Sequence, residues 1–155
     1  MENKANFYPG CYYHVFNHAI ASEDLFKDVD NYEYFLKQFN HHLAHYVDLI
    51  GFCLLPNHFH LLIQVKWLVK DEIETHNRVL QSFSNFQNGY SKAINKRHER
   101  KGRLVQDTIN RKRIHDEDNL KNVAKYIYQN PVKHGFCDHP HKWEYCQMDE
   151  TLLAA

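Results

Sequence analysis

Nowhere in the 155 residues does an apolar run approach the ~20 needed to cross a bilayer, so no membrane span is expected. Met1 to Gly10 is polar and lacks the apolar stretch of a secretory signal, which makes the cytoplasm the expected compartment. Cysteine is scarce: Cys11, Cys53, Cys137 and Cys146, with no CxxC pair. That excludes a disulfide framework and leaves four reduced thiols as the expectation. A structural zinc site on Cys137, His139, His141 and Cys146 is a weak alternative, because the spacing is irregular. Five glycines and four prolines give no linker, no low-complexity tract and no phosphate-binding glycine loop. There is no internal repeat, and the formal net charge is zero. A polyanion partner therefore cannot be argued from bulk charge.

What is present is ordinary in bulk and uneven in detail. Hydrophobic residues make up 43% and charged residues 25%, which suits one globular domain over residues 1–155. Thirteen histidines favour metal chemistry without establishing it. Charge is segregated. Between Lys92 and Arg113 lie nine Lys or Arg against Glu99 and Asp107, whereas the first fifty residues carry seven acidic side chains against three basic ones. A neutral chain so arranged can still present one positive face. Lys92, Lys96, Arg97, Arg103, Arg111, Lys112 and Arg113 are its candidate contacts to nucleic-acid phosphates.

Hydrophobic periodicity outlines the elements. Cys11 to His18, aromatic and β-branched, reads as a strand. Asn31 to Tyr46 reads as a helix, with Tyr32, Phe35, Leu36, Phe39, Leu43 and Tyr46 on one side. Leu49 to Leu55 is a short apolar strand, and Pro56-Asn57 a turn. From His58 to Lys66 the odd positions (Phe59, Leu61, Ile63, Val65) are apolar and the even ones mostly polar, the period of a half-buried strand. A second helix is expected over Glu72 to Lys96, with Ile73, Leu80, Phe83, Tyr90 and Ile94 inward. One more strand falls somewhere in Lys101 to Ile114. A last helix runs from Asp116 to Asn130, capped by Asp116 or Asp118 and stopped by Pro131. These elements predict an α+β fold, an antiparallel sheet with helices packed mainly on one face.

Two groups of residues stand out chemically. His58 and His60 share the polar face of their strand, about 7 Å apart along it, a separation that lets both imidazoles reach one ion. Tyr126 and Asn130 are four apart and so neighbours on the last helix, where a phenol and a carboxamide could approach the histidines together. Tyr126 and Tyr128 point about 200° apart, so only one can do so. Asn130 one turn below Tyr126 favours Tyr126, whereas Tyr128 has Pro131 and Val132 ahead of it and is expected to pack.

Six stretches, spread over nearly the whole chain, carry a resemblance. They are Tyr12-Tyr13-His14-Val15, Leu54 to Ile63 (LPNHFHLLI within it), Tyr90 through Asn95-Lys96-Arg97, Gly102 to Gln106, Tyr126 to Lys133 (YIYQNPVK), and Gly135-Phe136. In this order they resemble the single-tyrosine HUH transposases of the smallest insertion sequences, above all their REP-associated relatives. The resemblance implies a ferredoxin-like, RNA-recognition-like HUH fold. It implies His58, His60 and Asn130 as ligands of a divalent ion, Mg²⁺ or Mn²⁺, and Tyr126 as the nucleophile. The implied activity is cleavage and rejoining of single-stranded or hairpin DNA through a 5′-phosphotyrosine, in transposition or a domesticated derivative of it. The family includes monomers and dimers in which the tyrosine helix completes the partner's site, so a homodimer is one of two implied assemblies. The chain departs from the pattern at His18, where relatives often carry Arg, and at Gln106-Asp107-Thr108-Ile109, where many have an Arg-rich segment. The alternative is a non-catalytic single-stranded nucleic-acid binding domain of the same fold. It would keep the basic residues but has no need of His58, His60 and Tyr126 together.

Overall fold

The computed structural model describes residues 3–68, 71–106 and 108–154. Five strands form one antiparallel sheet: β1 (Tyr12–His18), β2 (Val47–Leu55), β3 (His58–Val65), β4 (Asn110–Ile114) and β5 (Cys146–Met148), in the order β4-β1-β3-β2-β5. Pro56-Asn57 makes a two-residue turn, so Leu55 pairs with His58 and the register of β3 follows from the hairpin. The histidine strand is central, with both edges paired, and a core packs on each of its faces, so the alternation read from its sequence decides what each face meets.

The odd side chains of β3 enter the larger core with α1 (Val29–Leu43) and α2 (Glu72–Arg97). Asp28 caps α1 in a reciprocal box with Asn31, and Asp71 caps α2 through the Glu74 amide. Phe35, Phe39, Phe83, Phe86 and Tyr90 interlock there, largely edge to face, against Phe59. Ile73, expected inward, is 74% exposed. The buried stripe of α2 begins at Thr75 and Val79, and two residues from Thr75 is about 200° around a helix.

α3 (Glu117–Lys133) crosses the opposite face of the sheet, joined by the short α4 (Glu150–Leu153). Of the two expected caps, Asp116 is the one used, accepting from the Asn119 amide. Leu120, Ala124 and Ile127 meet Leu55, Leu62, Cys53, Cys146 and Met148 in a second, smaller core. The two longest helices thus share one face, and a single long helix lies over part of the other. All four cysteines are free thiols, with Cys53 and Cys146 paired across β2 and β5.

Pro131 does not end α3. The helix continues to Lys133, with the His134 amide bonded to the Asn130 carbonyl. Proline removes one N–H and restricts the residue before it. So near the helix end the loss is a single bond, and the buried Pro131 ring still packs. Among the described residues of the Lys101 to Ile114 stretch, Asn110–Ile114 forms the strand, at the sheet edge. Among the described residues no helix is long and apolar enough to cross a membrane.

Candidate active site

The even face of β3 carries His58 and His60, buried to 5% and 6% exposure, with their rings 5.2 Å apart and nearly perpendicular. β1 adds His14 and His18 on the same face. The His18 ring stacks on His58 at 5.0 Å, and His14 Nε2 lies 2.8 Å from His60 Nδ1. From α3, the Tyr126 ring stands edge-on to both His14 (6.0 Å) and His60 (5.8 Å) and is 45% exposed. Asn130, one turn on, is fully buried, and its Nδ2 donates to the Tyr126 carbonyl at 3.2 Å. Because α3 runs past Pro131, Lys133 falls on the same face as Tyr126, with its Nζ 5.1 Å from the centre of that ring. His134, at the helix end, packs edge-on to His58.

Burial dominates the electrostatics. Desolvation brings His14 down to about 4, helped by Lys112. It brings His58 to about 4, helped by His18 and His134, and His60 to about 2, helped by His14 and His58. At neutral pH all three are uncharged, the form in which imidazole ligates a metal. His58 Nδ1 meets Asn57 Oδ1 at 2.7 Å. When that contact is a bond donated by the ring, Nε2 is left with a free lone pair.

Asn130 Oδ1 is buried without a hydrogen-bond partner among the described residues. The Asn130 side chain nonetheless lies within reach of the His58 ring, in a contact short of good hydrogen-bond geometry, and there it favours the charged form of His58. An acceptor oxygen thus faces a neutral ring at a point where positive charge would be stabilised, which is what a cation needs. Among the described residues no three His, Cys, Asp or Glu side chains converge as a metal-binding group. An ion here would therefore take two imidazoles and the Asn130 amide oxygen, a set that fits a divalent cation with positions left for phosphate and water. Cys137, His139, His141 and Cys146 form no zinc group. Cys146 lies in β5 opposite Cys53, and His139 and His141 contact each other.

Tyr128, the competitor of Tyr126, and Tyr90 both sit elsewhere. Tyr128 packs partly buried against the smaller core, and Tyr90 is in the larger one, its hydroxyl donating to the Leu25 carbonyl at 2.6 Å.

The seven basic residues expected to form one surface are dispersed. Lys92, Lys96 and Arg97 lie on the exposed side of α2, across the sheet from Tyr126, and Arg97 pairs with Asp28 and Asp30. Arg103 is exposed, and its Nε is bonded to the Val105 carbonyl. Arg111 must be corrected outright. It is 6% exposed, donates to the Ala5 and Ile109 carbonyls, and lies over the Phe7 ring. A guanidinium so occupied braces the N-terminal segment and has nothing left for DNA. Arg113 shares that face, over Tyr8. Strand alternation sends Lys112 alone to the histidine face, where it pairs in register with His14 and lies 5.9 Å from the Phe16 ring.

His14, Lys133 and His134 were not anticipated as part of this site. The alternation used for β3, applied to Tyr12–His18, would have found His14. Lys133 was hidden by taking Pro131 as the helix end.

No protein-family profile matches the chain. A curated REP-associated tyrosine transposase of Haemophilus influenzae is 27% identical over 112 residues, 69% of this chain. The match spans 62% of that protein's length. A solved structure of a REP-associated tyrosine transposase bound to a REP hairpin has the same fold, with a TM-score of 0.68 at 15% identity, covering 94% of this chain and 81% of the other. The resemblance carried by the sequence motifs is thus met again in both comparisons, and this chain is similar to the REP-associated tyrosine transposases.

Proposed function

We propose that this chain cuts and rejoins single-stranded DNA with Tyr126 as the nucleophile. The observation that carries this reading is the meeting of two separate elements. The tyrosine on α3 stands against His60 on β3, and the buried Asn130 side chain, one turn below, reaches His58 on the same histidine face.

His58, His60 and Asn130 would hold Mg²⁺ or Mn²⁺, which when bound supplies Lewis acidity at a nonbridging phosphate oxygen. The protein's own groups do the remainder. Tyr126 is partly exposed, so its hydroxyl can meet a phosphodiester while the histidine layer fixes one edge of its ring. Lys133, over the Tyr126 ring, and Lys112, on the histidine face beside His14, would hold the phosphate and offset the charge that builds as the phenol oxygen attacks. The Tyr126 proton goes to solvent. Its oxygen bonds to phosphorus and the 3′-oxygen leaves, taking up a proton as a 3′-hydroxyl. The 5′-phosphotyrosine conserves the energy of the broken bond, so an incoming 3′-hydroxyl can reverse the step and join a new strand. The similarity to a hairpin-bound transposase supports single-stranded or hairpin DNA as the substrate class.

The test is a covalent adduct with end-labelled single-stranded or hairpin DNA in Mn²⁺. Wild type should form it, and Tyr126→Phe should not, while folding and DNA binding persist. Tyr128→Phe and Tyr90→Phe should retain it. A phosphopeptide centred on Tyr128 or Tyr90, or full cleavage in excess EDTA, would overturn the proposal.

A further inference from the structure

A ligand histidine must offer a lone pair on the right nitrogen, and in a neutral imidazole that depends on what the other nitrogen does. His58 and His60 are both engaged through Nδ1, by different partners. For His58 the partner is Asn57 Oδ1 at 2.7 Å. For His60 it is His14 Nε2 at 2.8 Å. His14 is paired in register with Leu62, so it reaches diagonally across the β1–β3 ladder to meet His60, and the two rings lie 5.0 Å apart and 29° from parallel. His14 is 9% exposed, and this is its one side-chain hydrogen bond among the described residues.

The His14–His60 contact holds a single proton between two nitrogens. If His14 Nε2–H donates, His60 keeps its own proton on Nε2 and cannot coordinate through it. If His60 Nδ1–H donates, Nε2 is free. We propose that His14 is a positioning residue that accepts from His60 Nδ1–H, locking the tautomer and orientation in which His60 Nε2 is turned to the metal site. The same arrangement would then prepare both ligands, with an amide oxygen behind His58 and an imidazole behind His60. This inference rests on the metal-dependent reading above. It adds a buried residue from a third element, β1, to the β3 and α3 groups of the site.

The experiment uses two measurements. In the metal-free full chain with ¹⁵N-labelled histidine, long-range proton–nitrogen correlation at neutral pH should show His60 protonated on Nδ1 and not on Nε2. Separately, Mn²⁺ affinity is read from the electron paramagnetic resonance of the free ion, without DNA or turnover. His14→Phe keeps a ring beside Tyr126 but cannot accept, and should weaken Mn²⁺ binding by roughly 10- to 100-fold. His14→Gln offers an amide oxygen in place of the ring and should restore most of that loss. An Nε2–H tautomer at His60 in wild type overturns the proposal, as does unchanged Mn²⁺ affinity in folded His14→Phe. So does equal weakening in the Phe and Gln variants, which would mark a packing role. Should His14→Phe fail to fold, the wild-type tautomer decides. If wild type binds no Mn²⁺, or binds it equally after His58→Ala, the metal reading itself fails and this role falls with it. If only the His14 outcomes fail, the metal reading stands.

Discussion

Replacing Asn130 by leucine should leave the metal-free protein at least as stable and blunt its stabilisation by metal. Asn130 is fully buried and its Oδ1 makes no hydrogen bond of good geometry among the described residues, only its contact with His58, a state that costs up to about 1–3 kcal/mol. Its Nδ2 bond to the Tyr126 carbonyl returns roughly 0.5–1.5 kcal/mol. Leucine branches at the same carbon, removes both terms, and adds a few tenths of a kcal/mol in helix propensity. The net expectation is a gain of about 1 kcal/mol in EDTA. With Mn²⁺ at 100 times its wild-type dissociation constant the wild type should gain about 2.7 kcal/mol and the variant, left with two imidazoles, much less, so the order of stabilities reverses. Urea unfolding followed by circular dichroism, in EDTA and in Mn²⁺, reads all four values. If metal-free Asn130→Leu is less stable than wild type by more than about 2 kcal/mol, or is stabilised by Mn²⁺ as much as wild type, the Asn130 oxygen is not a metal ligand and the reasoning fails.

Two further outcomes follow from the same geometry. His14 and His58 are held near 4 in the fold, below the ordinary imidazole value of 6.5, so the unfolded chain takes up protons first on acidification. Stability of the metal-free protein should be flat above pH 6.5 and fall between pH 6.5 and 4, by up to about 1.4 kcal/mol per pH unit for each histidine. Urea midpoints at pH 7 and 5 check this, and equal midpoints would contradict it. Lys112→Ala should lower the slope of log affinity for single-stranded DNA against log salt by about 0.7, one phosphate contact, whereas Arg97→Ala should leave it unchanged. A change confined to Arg97→Ala would move the DNA to the α2 side of the sheet.

The parts of the fold legible in the sequence are those where one face is buried and the period is clean. Phe59, Leu61, Ile63 and Val65 make every odd position apolar, so β3 and the side on which His58 and His60 lie could be read directly. β4 is Asn-Arg-Lys-Arg-Ile at a sheet edge, and β5 has three residues; neither is long enough to show a period. The positive surface was misjudged because nearness in sequence is not nearness in space. On one short strand Arg111 and Arg113 go to one face and Lys112 to the other. His14 could be named as part of a motif. Its bond to His60 depends on a diagonal contact across a ladder whose register only the folded sheet fixes.

The two cores on either side of the sheet are unequal, and that inequality divides the protein by resistance to opening. Interlocked aromatics tie α1 and α2 to the sheet, whereas α3 is held by Leu120, Ala124, Ile127 and a few partners. Local opening free energies track the apolar contact that must be broken. The layer bearing Tyr126 and Asn130 is therefore the first to lift, while β3 retains its histidines. Amide exchange would divide the chain along the same line, with α3 protected less than α2. A ligand bridging His60 and Asn130 would act as a clasp between the durable half of the molecule and the yielding one.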